Sequence, residues 1–378
     1  KEKEKISNDA CSGAYGFSSY KSLLKYSNFM IENDIRDKNE YYTSVIIKES
    51  INGDIKFKNF TVDKQHFCTL GVPSDVVNYC DMILWEKIDN CSEYELGIKG
   101  HSNFNINIIR INNNYYICKS SENLADSNRL TRQIDKQLLH DKLFDFNIPK
   151  IYHKSVIKEN KKLFLMEYMY NCIDCLTYIG NNDYFVIDKL FKMVTNVIDK
   201  YINFCIYKKI DKEILVNKIE SVERNIYNNA ILNAEYDIIN KSLEYLKKET
   251  DMISQLILPM GFCHGDLTLS NILIEQNNGE IYLIDFLDSF IESPIVDIVK
   301  IRQDTKFYWI LQMCNLKIDV TKIKIIMKYL DNKIKNYYFE KPFYKLSYKY
   351  FEILNILRIL QYCKNDKIKD YLIQCLKL

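Results

Sequence analysis

Glycine and proline are scarce in this chain, with 10 and 5 respectively among 378 residues. Together with the absence of any internal repeat, that shortage excludes a low-complexity or repeat architecture; the weight of Lys, Asn, Ile and Tyr reads as coding bias. Long apolar runs are missing too. No stretch approaches the roughly 18 uninterrupted apolar residues of a membrane span. The opening KEKEKISNDA is charged and no apolar core follows it, so no secretory leader is expected. Nor does one sign of charge dominate: 52 basic residues stand against 50 acidic ones, interspersed, for a net charge of +2. That balance gives no electrostatic reason to expect nucleic acid or an anionic membrane as partner. The chain begins at Lys1 instead of methionine, as a fragment of something longer would.

Cysteine is not scarce. The 12 cysteines are mostly scattered singly within apolar patterns, as at Cys118, Cys205, Cys263 and Cys363. This is the usage of small reduced core residues, and it points to a cytoplasmic protein. Cys172 and Cys175 have CxxC spacing, but no second pair or nearby histidine accompanies them, so a chance spacing is favoured over zinc or redox chemistry.

An apolar fraction of 47% supplies material for real cores, and the length suggests two domains, or three if one is small. In the first segment, Tyr41 to Ile51 reads as a helix and Ile55 to Asp63 as alternating, strand-like residues. Leu70 to Tyr79 reads as a turn into a helix capped by Ser74. From about residue 93 the pattern changes. ELGIKG, NINIIRI and NYYICKS read as three short strands, the last two separated by the asparagine turn 112–114. A helix from about Ser127 to Leu143 follows, with Leu130, Ile134, Leu138 and Leu139 as its apolar positions. NIPKIY and KLFLMEYM complete a five-stranded antiparallel sheet carrying one helix. Beyond Asn171 the chain reads as mainly helical to about Leu258. NILIE and IYLIDF then form a hairpin around QNNGE, and Pro294 to Leu378 is helical again.

The chemistry concentrates in FCHGDLTLSNILI and the following YLIDF. Phosphoryl transfer asks a protein for positioning and charge neutralisation more than for covalent help. Asp266 suits the carboxylate that takes a proton from an acceptor hydroxyl. Magnesium wants hard oxygen ligands and takes few of them from protein, which suits Asn271 and Asp285. His264 reads as structural, holding the loop through a backbone hydrogen bond. Asp297 reads as a helix cap that braces the loop. Asp288 reads equally as a solvated loop carboxylate or a contact to metal or substrate.

HGDLTLSN with LIDF resembles the catalytic signature of the aminoglycoside phosphotransferase and choline kinase superfamily, over roughly residues 95–378. The resemblance implies an α+β, protein-kinase-like bilobal fold with a small antiparallel-sheet N-lobe and a mainly helical C-lobe. It also implies Asp266 as catalytic base, Asn271 and Asp285 as magnesium ligands, and ATP and Mg2+ as cofactors. By position, Lys119 would grip the phosphates of the nucleotide. The family pairs that lysine with a helix glutamate, and here no Glu occurs between Glu122 and Glu159. Asp135 is the expected substitute and Gln133 the second choice. Gly97, Gly100 and Ser102 would form the phosphate-covering loop, while Glu167, Tyr168 and Met169 would form the hinge whose backbone meets adenine. Phe307, Tyr308 and Trp309 read first as core; an aromatic cage for a quaternary ammonium is the alternative.

Residues of about 8–90, with ACSGAYGF, NEYYTSVIIKESI and FTVDKQHFCTLGVPSDV, resemble the C-terminal part of sugar nucleotidyltransferases. That family's metal-binding aspartate falls at Thr69 here, two residues before Gly71. The expected division is therefore a nucleotidyltransferase-like remnant at 1–92, an N-lobe at 93–170 and a C-lobe at 171–378. The leading expectation is a kinase for a small-molecule hydroxyl, serving bacterial capsule or surface-polysaccharide precursor synthesis. The alternatives are a choline or ethanolamine kinase, a truncated bifunctional enzyme, and a non-catalytic kinase-like binding module.

Overall fold

The computed structural model describes residues 13–37, 39–63, 67, 70–73, 75–76, 79, 94–98, 104–111, 114–121, 123–158, 161–313 and 319–377. The chain separates into two compact units, Lys1–Asp75 and Val76–Leu378. In the first, helices α1 (Tyr20–Glu32) and α2 (Thr43–Asn52) pack on each other. Ser19 caps α1 by accepting from the N–H of Lys21, and Tyr26 donates to the Gly53 carbonyl at 3.4 Å. Ile55–Asp63, expected as strand-like, forms no strand. Alternation makes a strand only where a second one offers its hydrogen bonds. Thr69, the position carried over from the nucleotidyltransferases, lies outside the described residues.

In the second unit, β1 (Tyr94–Ile98), β2 (Asn105–Ile111) and β3 (Asn114–Ser121) form an antiparallel run. Helix α3 (Leu124–Leu143) follows, then β4 (Ile151–Lys158) and β5 (Lys161–Glu167). The five strands are ordered β1-β2-β3-β5-β4, all pairs antiparallel. The pleat divides their side chains between two faces. Ile109, Cys118, Leu163 and Leu165 cluster on one; Phe104, Phe164 and Met166 pack with Leu130 and Ile134 of α3 on the other. Lys119 follows Cys118 in β3, so it faces the helix side. Asn123 caps α3 by accepting from the N–H of Asp126, which starts the helix three residues earlier than its apolar period predicts.

The rest is mainly helical. β6 (Cys172–Asp174) leads into α4 (Cys175–Asn181) and α5 (Val186–Phe204). β7 (Ile206–Lys209) precedes α6 (Lys212–Tyr227) and α7 (Tyr236–Gln255), and pairs with β8 (Ile257–Met260). That short pair interrupts what the sequence presents as continuous helix. The hairpin β9 (Ile272–Glu275) and β10 (Ile281–Leu283) forms as its turn residues predict, and β6 adds a third strand to it. Helices α8 (Pro294–Phe307), α9 (Trp309–Met313), α10 (Val320–Phe339), α11 (Pro342–Leu360) and α12 (Asp366–Lys377) complete the lobe. One large apolar core runs through it, and Cys175 is buried there, which explains half of the CxxC pair as packing.

Candidate active site

The loop between β8 and β9 is shaped by its backbone before any side chain acts. Gly265 sits at φ +87°, and a Cβ there would lie 1.9 Å from the Leu287 carbonyl oxygen. Only glycine fits that left-handed, crowded position. Two buried carboxylates on α8 hold the loop from below. Asp297 accepts from the N–H groups of His264 at 2.7 Å and Gly265 at 2.9 Å. Asp304 accepts from Leu269 N–H at 2.7 Å and Ile310 N–H at 3.0 Å. Burial pushes both carboxyls up to about 7, while the N–H groups they accept from pull the other way.

His264 is structural, as its place in the loop suggests. Nε2 meets the Ile284 carbonyl at 3.0 Å, and Nδ1 accepts from the Asp266 N–H at 3.3 Å. One nitrogen donates and the other accepts, so the ring is neutral. Burial carries its pKa down to about 4.

Asp266 is half-buried at the mouth of the loop. Its Oδ1 lies 3.0 Å from Lys300 Nζ, and its Oδ2 accepts from Asn271 Nδ2 at 3.0 Å. Burial alone would raise its pKa; Lys300, then His264 and Asn271, outweigh burial and hold the carboxyl below its ordinary value. Asp266 is therefore ionised at neutral pH. Asn271 also donates to the Asp266 carbonyl at 2.8 Å, which turns its amide oxygen away from Asp266. Its own carbonyl accepts from Ile284 N–H at 3.1 Å, tying the loop to the residue before Asp285. Asp285 itself has φ +59°, and its Oδ1 lies 2.7 Å from Lys119 Nζ. Contacts thus run from Lys300 through Asp266 and Asn271 to the Ile284 backbone, and from the adjoining Asp285 to Lys119.

The helix partner of Lys119 is Gln133, whose Oε1 lies 3.3 Å from Nζ. This corrects the choice of Asp135. Two residues on a helix are about 200° apart, so Asp135 points outward when Gln133 points in. Asp135 is exposed and lines a surface cleft with Arg132, Lys136 and Asp288. Asp288 pairs there with Arg132 at 2.6 Å. Gly97 lies within β1, opposite Asn107, while Gly100 and Ser102 lie outside the described residues. Glu167 ends β5 and bonds back to the Lys150 backbone; the Met169 carbonyl accepts from Cys172 N–H. Trp309 packs on the core and against Tyr371, at 6.2 Å between ring centroids.

The phosphotransferase enzyme family model matches residues 222–309, which include Asp266, Asn271 and Asp285. Among solved structures the chain is similar to a thermostable mutant of aminoglycoside phosphotransferase APH(4)-Ia. Identity is 10%, the match covers 79% of this chain and 97% of that one, and the TM-score is 0.56. The fold of the chain is thus of the kind seen in that phosphotransferase. Its fold is also similar to that of a microcompartment-associated aminopropanol kinase, with 9% identity over 78% of this chain and 94% of that one and a TM-score of 0.51. A GDP and kanamycin complex of APH(2")-IIia is similar at 14% identity, over 80% and 97% of the two chains, with a TM-score of 0.50. No curated protein matches the chain by sequence.

Two elements of the candidate site escape the motif. Lys300 is one, although Asp297, Lys300 and Asp304 recur at three and four residues, the spacing of a single helix face. The inward stripe of α3 is the other. Gln133, Lys136, Gln137 and His140 are all buried, and an apolar period is blind to a buried polar face. Lys136 reaches the Leu287 carbonyl and Glu292, each at 2.7 Å, and so fixes the segment after Asp285.

Proposed function

We propose that this protein is an ATP- and magnesium-dependent kinase for a hydroxyl group on a small molecule. The carrying observation is the connected set Lys119, Asp285, Asn271 and Asp266, which joins sheet to loop through contacts of 2.7–3.1 Å. The donor chemistry fits the metal: the Asn271 amide oxygen and the Asp285 carboxylate are two hard oxygen ligands, and phosphates and water complete such a shell. When bound, magnesium neutralises phosphate charge. Lys119 adds a second positive charge on the nucleotide side. Asp266, kept ionised by Lys300 and oriented by Asn271, takes the hydroxyl proton as the acceptor oxygen bonds to the terminal phosphorus and the bond to the bridging oxygen breaks. Glu167 and Met169 bring the strand end where a hinge would offer backbone groups to adenine.

The proposal extends to a cytoplasmic enzyme of bacterial capsule or surface-polysaccharide precursor synthesis, supported by the likeness of residues 8–90 to sugar nucleotidyltransferases. The aromatic-cage argument for a choline or ethanolamine kinase weakens, because Trp309 is engaged with Tyr371 and the core. Among the described residues, no helix is long and apolar enough to cross a membrane. The decisive test is Asp266→Asn, assayed for magnesium-dependent transfer of labelled phosphate. Turnover should fall by about 10²–10⁴-fold, with the melting temperature retained. Wild-type turnover in that variant would end the reading.

A further inference from the structure

The acceptor must approach Asp266 from the side opposite the leaving nucleotide, because in-line transfer keeps entering and leaving oxygens on opposite faces of the phosphorus. Lys119 and Asp285 mark the nucleotide side. Three cations stand on packed helices of the C-lobe, α8, α11 and α6. Lys300 Nζ, largely buried, lies 3.0 Å from Asp266. On α11, which packs against α8, the Arg358 guanidinium lies 5.1 Å from the centre of the Phe290 ring. Phe290 belongs to the segment that leads from Asp285 into α8. Lys218 stands on α6, and Asn225 of that helix donates to Gln361 at the end of α11 at 2.8 Å.

The acids nearby are already engaged. Asp288 pairs with Arg132, Glu292 with Lys136, Asp331 with Arg302 and Glu352 with Lys306. Asp297 and Asp304 are spent on backbone N–H groups. Among the described residues, neither Arg358 nor Lys218 has a hydrogen-bond or ion-pair partner for its charged end. Burial lowers the pKa of both; Asp266 opposes the shift at Arg358, and Arg358 adds to the shift at Lys218. Arg358 thus lies within electrostatic reach of both Asp266 and Lys218. A sheltered cation without a counter-ion is costly, and a ligand that supplies the counter-charge removes the cost. A guanidinium is also shaped to hold carboxylate or phosphate through two parallel hydrogen bonds.

We infer that the acceptor carries an anionic group, phosphate or carboxylate, which Arg358 and Lys218 receive above the Phe290 ring while its hydroxyl meets Asp266. This rests on the kinase reading of the site and narrows it, since amino alcohols and other cationic acceptors would be repelled from the same place.

The full chain is first titrated with magnesium and a non-hydrolysable ATP analogue in a calorimeter. Absence of binding there overturns the kinase reading itself. Phosphorylation is then measured for a hexose phosphate against the hexose, for glyceric acid against glycerol, and for ethanolamine. The acidic member of each pair should lead by about tenfold or more in kcat/KM. A lead in only one pair assigns the group as phosphate or as carboxylate. Arg358→Gln should erase the lead by raising KM for the acid while nucleotide affinity holds. Lys218→Gln should reduce the lead, and serves alone if the arginine variant melts early. Equal use of both members, preference for ethanolamine, or a variant that weakens nucleotide and acid alike overturns the inference.

Discussion

Residues 264–271 and the end of β3 at Lys119 supply the same site from two lobes, and they are held in different ways. The loop hangs from buried carboxylates: Asp297 and Asp304 each accept from two backbone N–H groups, and α8 beneath them is buried along most of its length. Lys119 instead rises from a thin sheet with small apolar clusters on each face, and its charged end meets Asp285, Gln133 and the face of the Phe104 ring. The loop is thus part of the folding core. The lysine is a charge added to a scaffold that stands without it.

That contrast is broken most directly by comparing Asp297→Ala with Lys119→Met. Removing Asp297 leaves the N–H groups of His264 and Gly265 buried without acceptors. Urea unfolding should show a loss of about 2–4 kcal/mol, with activity falling alongside. Lys119→Met should lose about 10²-fold or more in turnover, yet unfold within about 1 kcal/mol of the wild type. Equal destabilisation by the two would erase the distinction.

A pH series sharpens the contrast on the loop side. His264 is neutral in the fold with a pKa of about 4, against an ordinary 6.5. The unfolded chain therefore binds the extra proton between those values, so the histidine's contribution is complete above pH 6.5 and is lost as pH falls toward 4. The stability lead of the wild type over His264→Asn should shrink on acidification by about 1.4 kcal/mol per pH unit in that window. A lead that stays level from pH 7 to 4 would mean that the ring is not held neutral.

The smallest effect belongs to the sheet side. Gln133→Ala should raise KM for ATP roughly fivefold, the loss of one hydrogen bond to a charged group. Asp135→Ala should leave it unchanged. The reverse outcome in steady-state kinetics would restore Asp135 as the partner of Lys119.

The loop was readable because its chemistry is local. Asp266 and Asn271 share one turn, Asp285 ends the next hairpin, and Gly265 marks the crowded backbone between them. The five strands and α3 were readable from apolar period and turn residues. Lys300 and Arg358 were not, because each acquires meaning only from a residue far away in sequence, and the choice of Gln133 over Asp135 waited on which of them α3 turns toward Lys119. Ile55–Asp63 shows the opposite failure, a local pattern without a partner to complete it.

Order along the chain alone thus singled out Asp266, Asn271 and Asp285 as candidates and most of the strands and helices of the second unit, since these follow from side chains a few positions apart. Tertiary structure decided which helix residue faces Lys119 and which cation lies against Asp266 and holds its carboxyl low. Those are matters of Coulomb interaction and burial across space, and they depend on distances that helix packing sets.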